Sequence, residues 1–122
     1  MIRSFLLIGL GGALGTMLRF GTSLLIGFKS YPLATLLVNI AGSFIIGLVM
    51  AYSLKSESFA LNGRLFLATG FCGGFTTFSA FSLENLLLLQ NGKLGLFVLY
   101  AVGSLVLGIA AVWAGFKIIA IT

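Results

Sequence analysis

The sequence predicts an all-α membrane protein of four transmembrane helices, the third broken near its middle. Three observations carry this. Of 122 residues, 60% are hydrophobic and 7% charged, a composition outside that of ordinary soluble domains. Polar clusters divide the chain into four apolar stretches, roughly 4–26, 32–54, 65–89 and 94–116, each longer than the ~20 residues a helix needs to cross ~30 Å of hydrocarbon. Within the third stretch, Gly70-Phe-Cys-Gly-Gly-Phe-Thr-Thr-Phe-Ser-Ala-Phe81 places three glycines and two adjacent threonines at membrane depth. Broken backbone there is tolerated only where protein, an ion or a water-filled cavity takes up the freed N–H and C=O groups. The run therefore suggests an ion site with an aromatic-lined path beside it, in a chain that forms one four-helix unit.

Helix one follows Arg3 and is as long as a full span, whereas the apolar core of a secretory signal runs to ~7–15 residues. Gly11 and Gly15, four residues apart, suit close helix contact in lipid. The glycine run 9–15 lacks the register of a dinucleotide loop and follows no strand, so packing accounts for it. After the loop Gly27–Tyr31, Pro32 suits the start of helix two, where its missing N–H costs nothing, and Ser30 is an N-cap by type. Thr35, Asn39 and Ser43 then share one face of helix two. They serve either as interhelical hydrogen-bond partners, worth ~0.6 kcal/mol each on average, or as donors along a polar pathway. A longer polar connection, Lys55 to Arg64, leads to helix three.

After the break, Phe78 and Phe81 share a face. Their ring edges are electropositive and could draw a small anion without the trapping strength of a full charge, which conduction requires. Apolar filling explains the same spacing. Ser79 and Ser82 add hydroxyls. Glu84 is the one acid within a span, a functional candidate by default, and near enough to the helix end to reach water, Arg19 or Lys93. Cys72 reads as a small packing residue, and Asn91-Gly92 as the turn that ends helix three. In helix four, Tyr100 and Ser104 are a second hydroxyl pair at four-residue spacing, and Ala111 and Gly115 a second pair of small residues.

The same composition excludes whole classes. Histidine is absent and Cys72 is alone, so no histidine-assisted nucleophile, zinc motif or disulfide can be built. No catalytic residue, and no enzyme, is expected. The basic residues are scattered singly, with no run that could track phosphates, which argues against nucleic acid. With four spans, Arg3, Lys55, Arg64 and Lys117 fall on one side, and Lys29, Lys93 and Arg19 on the other. This weak bias fits two oppositely inserted copies, the arrangement of inverted-repeat transporters, or a single orientation set by Arg3 or by cellular machinery.

These residues resemble the Fluc (CrcB) fluoride channels over nearly the whole chain. The matching segments are Gly12-Ala-Leu-Gly-Thr-Met-Leu-Arg19, Tyr31-Pro-Leu-Ala-Thr-Leu-Leu-Val-Asn-Ile-Ala-Gly-Ser43 and the specific run 70–81. The resemblance implies an antiparallel, dual-topology homodimer in the cell (inner) membrane, with two fluoride pathways along the subunit interface. It also implies a structural Na⁺ at the dimer centre, held by the main-chain oxygens of Gly73 and Thr76 from each subunit; hard cations suit such ligands. By the same resemblance Asn39 would hydrogen-bond fluoride, Phe78 and Phe81 would be the pore-facing rings, and Ser79, Tyr100 and Ser104 would belong to the polar track. Arg19 would attract anions at a wide aqueous entrance. Ala34 and Ala80 depart from the family's usual glycine and threonine, and Ala80 deletes one hydroxyl donor.

The expectation is thus a passive channel letting fluoride out of the cell across the lipid bilayer. A proton-coupled exporter of the small multidrug type is the alternative, although helix one holds Arg19 and no acid, so that Glu84 would have to serve. A non-transporting membrane subunit is a third class, and it predicts no ion flux to lose.

Overall fold

A computed structural model describes residues 1–27 and 31–122. Helix α1 spans Ile2–Ile26, α2 Leu33–Lys55 and α6 Leu94–Ala120. Between α2 and α6, four segments follow one another: α3 (Glu57–Gly63), a π-helix (Arg64–Cys72), the single turn α4 (Gly73–Phe75) and α5 (Phe78–Gln90). Among the described residues, Ile2–Ile26, Leu33–Lys55, Glu57–Gln90 and Leu94–Ala120 are each long and apolar enough to cross a membrane. The chain is all-helical, and its third passage is bent, as the glycines and threonines of that segment predict.

Two connections differ from expectation. The connection expected from Lys55 to Arg64 is mostly helix, with Ser56 alone between α2 and α3. The Ser56 hydroxyl accepts the Phe59 N–H at 3.3 Å, and Glu57 occupies the first turn, where a negative charge suits the positive end of the helix dipole. Polarity marked this segment as a loop, but a serine cap followed by an acid is a helix start. Pro32 is itself the cap residue, with Leu33 first in the helix; Ser30 and Lys29 lie outside the described residues. The turn at Asn91-Gly92 forms, with Gly92 at φ +70°.

Small residues let the helices approach to backbone contact. A Cβ on Gly15 would run into the Phe71 carbonyl, and one on Gly74 into the Gly12 carbonyl, so α1 lies directly against the broken helix. Gly47 of α2 and Gly115 of α6 likewise meet the Val112 and Phe44 carbonyls. The interior is thin: Val38, Val49, Ala51, Cys72, Leu88 and Tyr100 are its buried apolar members. Leucines and phenylalanines cover much of the exterior, a surface suited to lipid or to another protein rather than to water.

A broken helix with a cavity beside it

Helix α4 ends at Phe75, and Thr76 and Thr77 adopt extended backbone before α5 begins. In an uninterrupted helix the amides of residues 77, 78 and 80 would bond the carbonyls of residues 73, 74 and 76. Other partners replace those bonds. The Thr77 N–H donates to Asn39 Oδ1 at 2.8 Å, and Asn39 Nδ2 donates to the Thr77 carbonyl at 3.2 Å. The Ala80 N–H donates to Thr77 Oγ1 at 3.1 Å, making Thr77 the cap of α5. Arg19 Nε donates to the Gly74 carbonyl at 3.0 Å, with Thr16 Oγ1 3.5 Å from the same oxygen. The carbonyls of Gly73 and Thr76 are thereby released from their helical donors. They lie at the negative end of the preceding helix dipole.

A cavity of about 390 Å³ lies beside this break. Asn39 and Ser43 of α2, Cys72, Gly73, Thr76, Thr77, Phe78 and Phe81 of the broken helix, and Ser104 of α6 line it. Phe78 and Phe81 stand 5.8 Å apart between ring centroids, tilted by 37°. Phe81 also packs on Tyr100 at 5.0 Å, whereas Phe78 is 79% exposed. Ser104 Oγ is buried without a hydrogen-bond partner. Space beyond Gly73 is open, with no atom within 4 Å of where a Cβ would sit. The result is a mostly apolar chamber with a few hydroxyls, one carboxamide and free carbonyl oxygens. Such a lining can strip water from a small ion and replace part of its shell.

A second cavity of about 530 Å³ is lined by Tyr31, Thr35, Ala80, Glu84, Asn91 and Lys93, among others. Thr35 Oγ1 donates to Glu84 Oε1 at 2.6 Å, and Tyr100 OH reaches Glu84 Oε2 at a long 3.5 Å. Glu84 is thus held by hydroxyls from α2 and α6, while Arg19, one of its candidate partners, is bonded to Gly74.

The structure therefore brings together Asn39, Phe78, Phe81, Ser104, Gly73 and Thr76. Tyr100 is fully buried behind Phe81 and turned toward Glu84. Ser79 is exposed, with its hydroxyl 3.3 Å from Thr77 Oγ1. Thr35, Asn39 and Ser43 share one helix face but are divided, Thr35 to the second cavity and the other two to the first. Sequence reasoning missed Thr77 and Thr16. A threonine just before an apolar helical run is a cap signal that could have found Thr77; nothing in the spacing pointed Thr16 at the break.

The family model described as CrcB-like protein, Camphor Resistance (CrcB), matches residues 6–116. A protein of Thermus thermophilus named fluoride-specific ion channel FluC is 49% identical over 119 residues, covering 93% of each chain. One of Azobacteroides pseudotrichonymphae with the same name is 45% identical over 119 residues and 95% of each chain. Fluoride-specific ion channel FluC 2 of Rhodococcus jostii is 45% identical over 114 residues, covering 93% of this chain and 96% of its own.

Proposed function

The chain belongs to the CrcB family, and from that premise we propose that it is a fluoride-selective channel, a multi-pass protein of the cell inner membrane that lets fluoride leak outward passively. The observation that carries the reading is the chamber at the break, where Asn39, the Phe78–Phe81 pair and Ser104, whose buried hydroxyl is unpartnered, line one cavity. Fluoride is small and tightly hydrated. A narrow path must therefore replace water with donors, and those donors must let go again. Asn39 has one amide hydrogen left after its bond to Thr77, Ser104 offers a hydroxyl, and the ring edges add weak positive potential. Among the described residues, no lysine or arginine lines this cavity, which favours release over trapping. Ser79 and Tyr100 stand further out on the proposed track, Ser79 at the exposed start of α5 and Tyr100 behind Phe81.

The working unit is an antiparallel homodimer of single four-helix chains. A second copy would cover Phe78 and Gly73, which one chain leaves exposed, and would double the set of released carbonyls. Those carbonyls fit a hard monovalent cation: Gly73 and Thr76 supply neutral oxygens with open space beyond Gly73 at the negative end of a helix. Bound there, Na⁺ would supply positive charge that fixes the break and joins the two copies. The proton-coupled cation exporter gains no support from relatives named as fluoride-specific channels.

The decisive experiment is fluoride efflux from liposomes holding the purified protein, read with a fluoride electrode against a chloride control. Rapid fluoride release without chloride release is expected. No flux from folded, dimeric protein would reject the channel.

A further inference from the structure

Arg19 is bonded to the main chain of the break, a position that its role as an entrance charge does not require. Its Nε takes the Gly74 carbonyl at 3.0 Å, one peptide from the Gly73 carbonyl. Thr16 reaches the same oxygen from one turn earlier in α1. Gly12 and Gly15 bring that face of α1 into backbone contact with Gly74 and Phe71. Helix α1 thus grips the end of the broken helix at one carbonyl and leaves those of Gly73 and Thr76 unclaimed. No acid offsets the guanidinium at the break. The chain has two acids: Glu84 is held by Thr35 and Tyr100, and Glu57 begins α3.

We propose that Arg19 is the positioning residue of the break and the charge filter of its cation site. Its hydrogen bond to Gly74 directs the Gly73 and Thr76 carbonyls to the cavity. Its fixed charge admits a monovalent cation and rejects a divalent one of similar size: repulsion by Arg19 and attraction to the carbonyls both double with the charge of the ion, whereas the cost of dehydrating it grows as the square, and no acid is present to make up the difference. The proposal rests on the cation reading of the break.

The two roles separate by substitution. Glutamine places Nε2 the same number of bonds from Cα as arginine Nε, so Arg19→Gln keeps the bond to Gly74 and removes the charge. Arg19→Met removes both. Thermal unfolding of the purified dimer would be followed against NaCl and CaCl₂ at matched ionic strength, with N-methylglucamine chloride as the baseline. Wild type should be stabilised by Na⁺ and not by Ca²⁺. Arg19→Gln should keep the Na⁺ response and gain one to Ca²⁺. Arg19→Met should need about tenfold more Na⁺ or lose the response, as expected when a charge-assisted bond is removed. Wild-type Na⁺ response with Ca²⁺ still inert in Arg19→Gln overturns the filter, and an unshifted Na⁺ midpoint in Arg19→Met overturns the positioning role. No Na⁺ response in wild type removes the cation reading, and this proposal with it. Should Arg19→Met not fold, Arg19→Gln still decides the filter, and Arg19→Lys, which keeps the charge but displaces the donor, decides the positioning by the same midpoint shift.

Discussion

The carboxamide of Asn39 is bonded at both ends to one residue, Thr77: Oδ1 accepts the Thr77 N–H at 2.8 Å, and Nδ2 donates to the Thr77 carbonyl at 3.2 Å. A side chain from α2 thus substitutes for the helical acceptor that the break removes from the Thr77 N–H, and donates to the Thr77 carbonyl as well. The same contact leaves one Asn39 N–H without a partner, in a residue that lines the cavity. Support of the backbone and the proposed recognition of an anion are, in this residue, one arrangement.

Asn39→Ala should therefore lower both stability and flux. The orphaned Thr77 N–H costs ~1–3 kcal/mol if no water reaches it, which thermal unfolding of the purified protein would register. Fluoride efflux should drop as well, because the donor and the position of Thr77 are lost together. A variant of wild-type stability would show that water takes the place of the carboxamide.

Phe78 and Phe81 should part in stability while agreeing in flux. Phe81 is half-buried and packs on Tyr100, so Phe81→Ile loses an aromatic contact and should cost ~0.5–1.5 kcal/mol. Phe78 is 79% exposed in one chain, and Phe78→Ile should cost the monomer fold little. Either change removes a ring edge from the cavity. Phe81→Ile is expected to abolish fluoride efflux with the dimer still formed by size-exclusion chromatography, and Phe78→Ile to reduce efflux strongly. Preserved flux in both would make the rings apolar filling.

Close helix contact gives a prediction independent of transport. A methyl group on Gly15 would meet the Phe71 carbonyl, so Gly15→Ala must push α1 away from the broken helix, at a cost of ~1–3 kcal/mol. At Gly95 no atom lies within 4 Å of the new Cβ, and Gly95→Ala should be neutral or stabilise by up to ~1 kcal/mol through helix propensity. The melting temperature should fall in Gly15→Ala and hold or rise in Gly95→Ala.

How much of this was legible beforehand follows from which interactions are local. The four spans rest on unbroken apolar length, and the break on glycines and threonines where backbone would otherwise be closed, so both were visible in one dimension. The helical contacts at Gly11, Gly15 and Gly115 were visible for the same reason, since four-residue spacing fixes a face. What the spacing could not show is which face meets which. Asn39 on Thr77, Arg19 on Gly74 and Thr35 on Glu84 join residues 38, 55 and 49 positions apart, and each depends on how closely the glycine contacts draw the helices. The π-helix at Arg64–Cys72 was also hidden, because a shift from i−4 to i−5 bonding changes no residue type. The α3 helix was missed for a simpler reason: polar residues were weighed as a loop before Ser56 was weighed as a cap.

Ser104 provides the sharpest division between a packing role and a conducting one. The residue lines the cavity, and its hydroxyl oxygen is buried just behind that wall without a hydrogen-bond partner. A group in that condition weakens the fold, so Ser104→Ala should leave thermal stability unchanged or raise it by ~1 kcal/mol. If the hydroxyl is unpartnered because it serves a passing anion, the same substitution should slow fluoride efflux by roughly fivefold, the kinetic equivalent of one neutral hydrogen bond of ~1 kcal/mol. Gain in stability with loss of flux is a combination that packing alone does not produce, since a packing defect lowers both together. Efflux and unfolding measured on the same preparation would therefore place Ser104 on the fluoride path, or, with flux unchanged, off it.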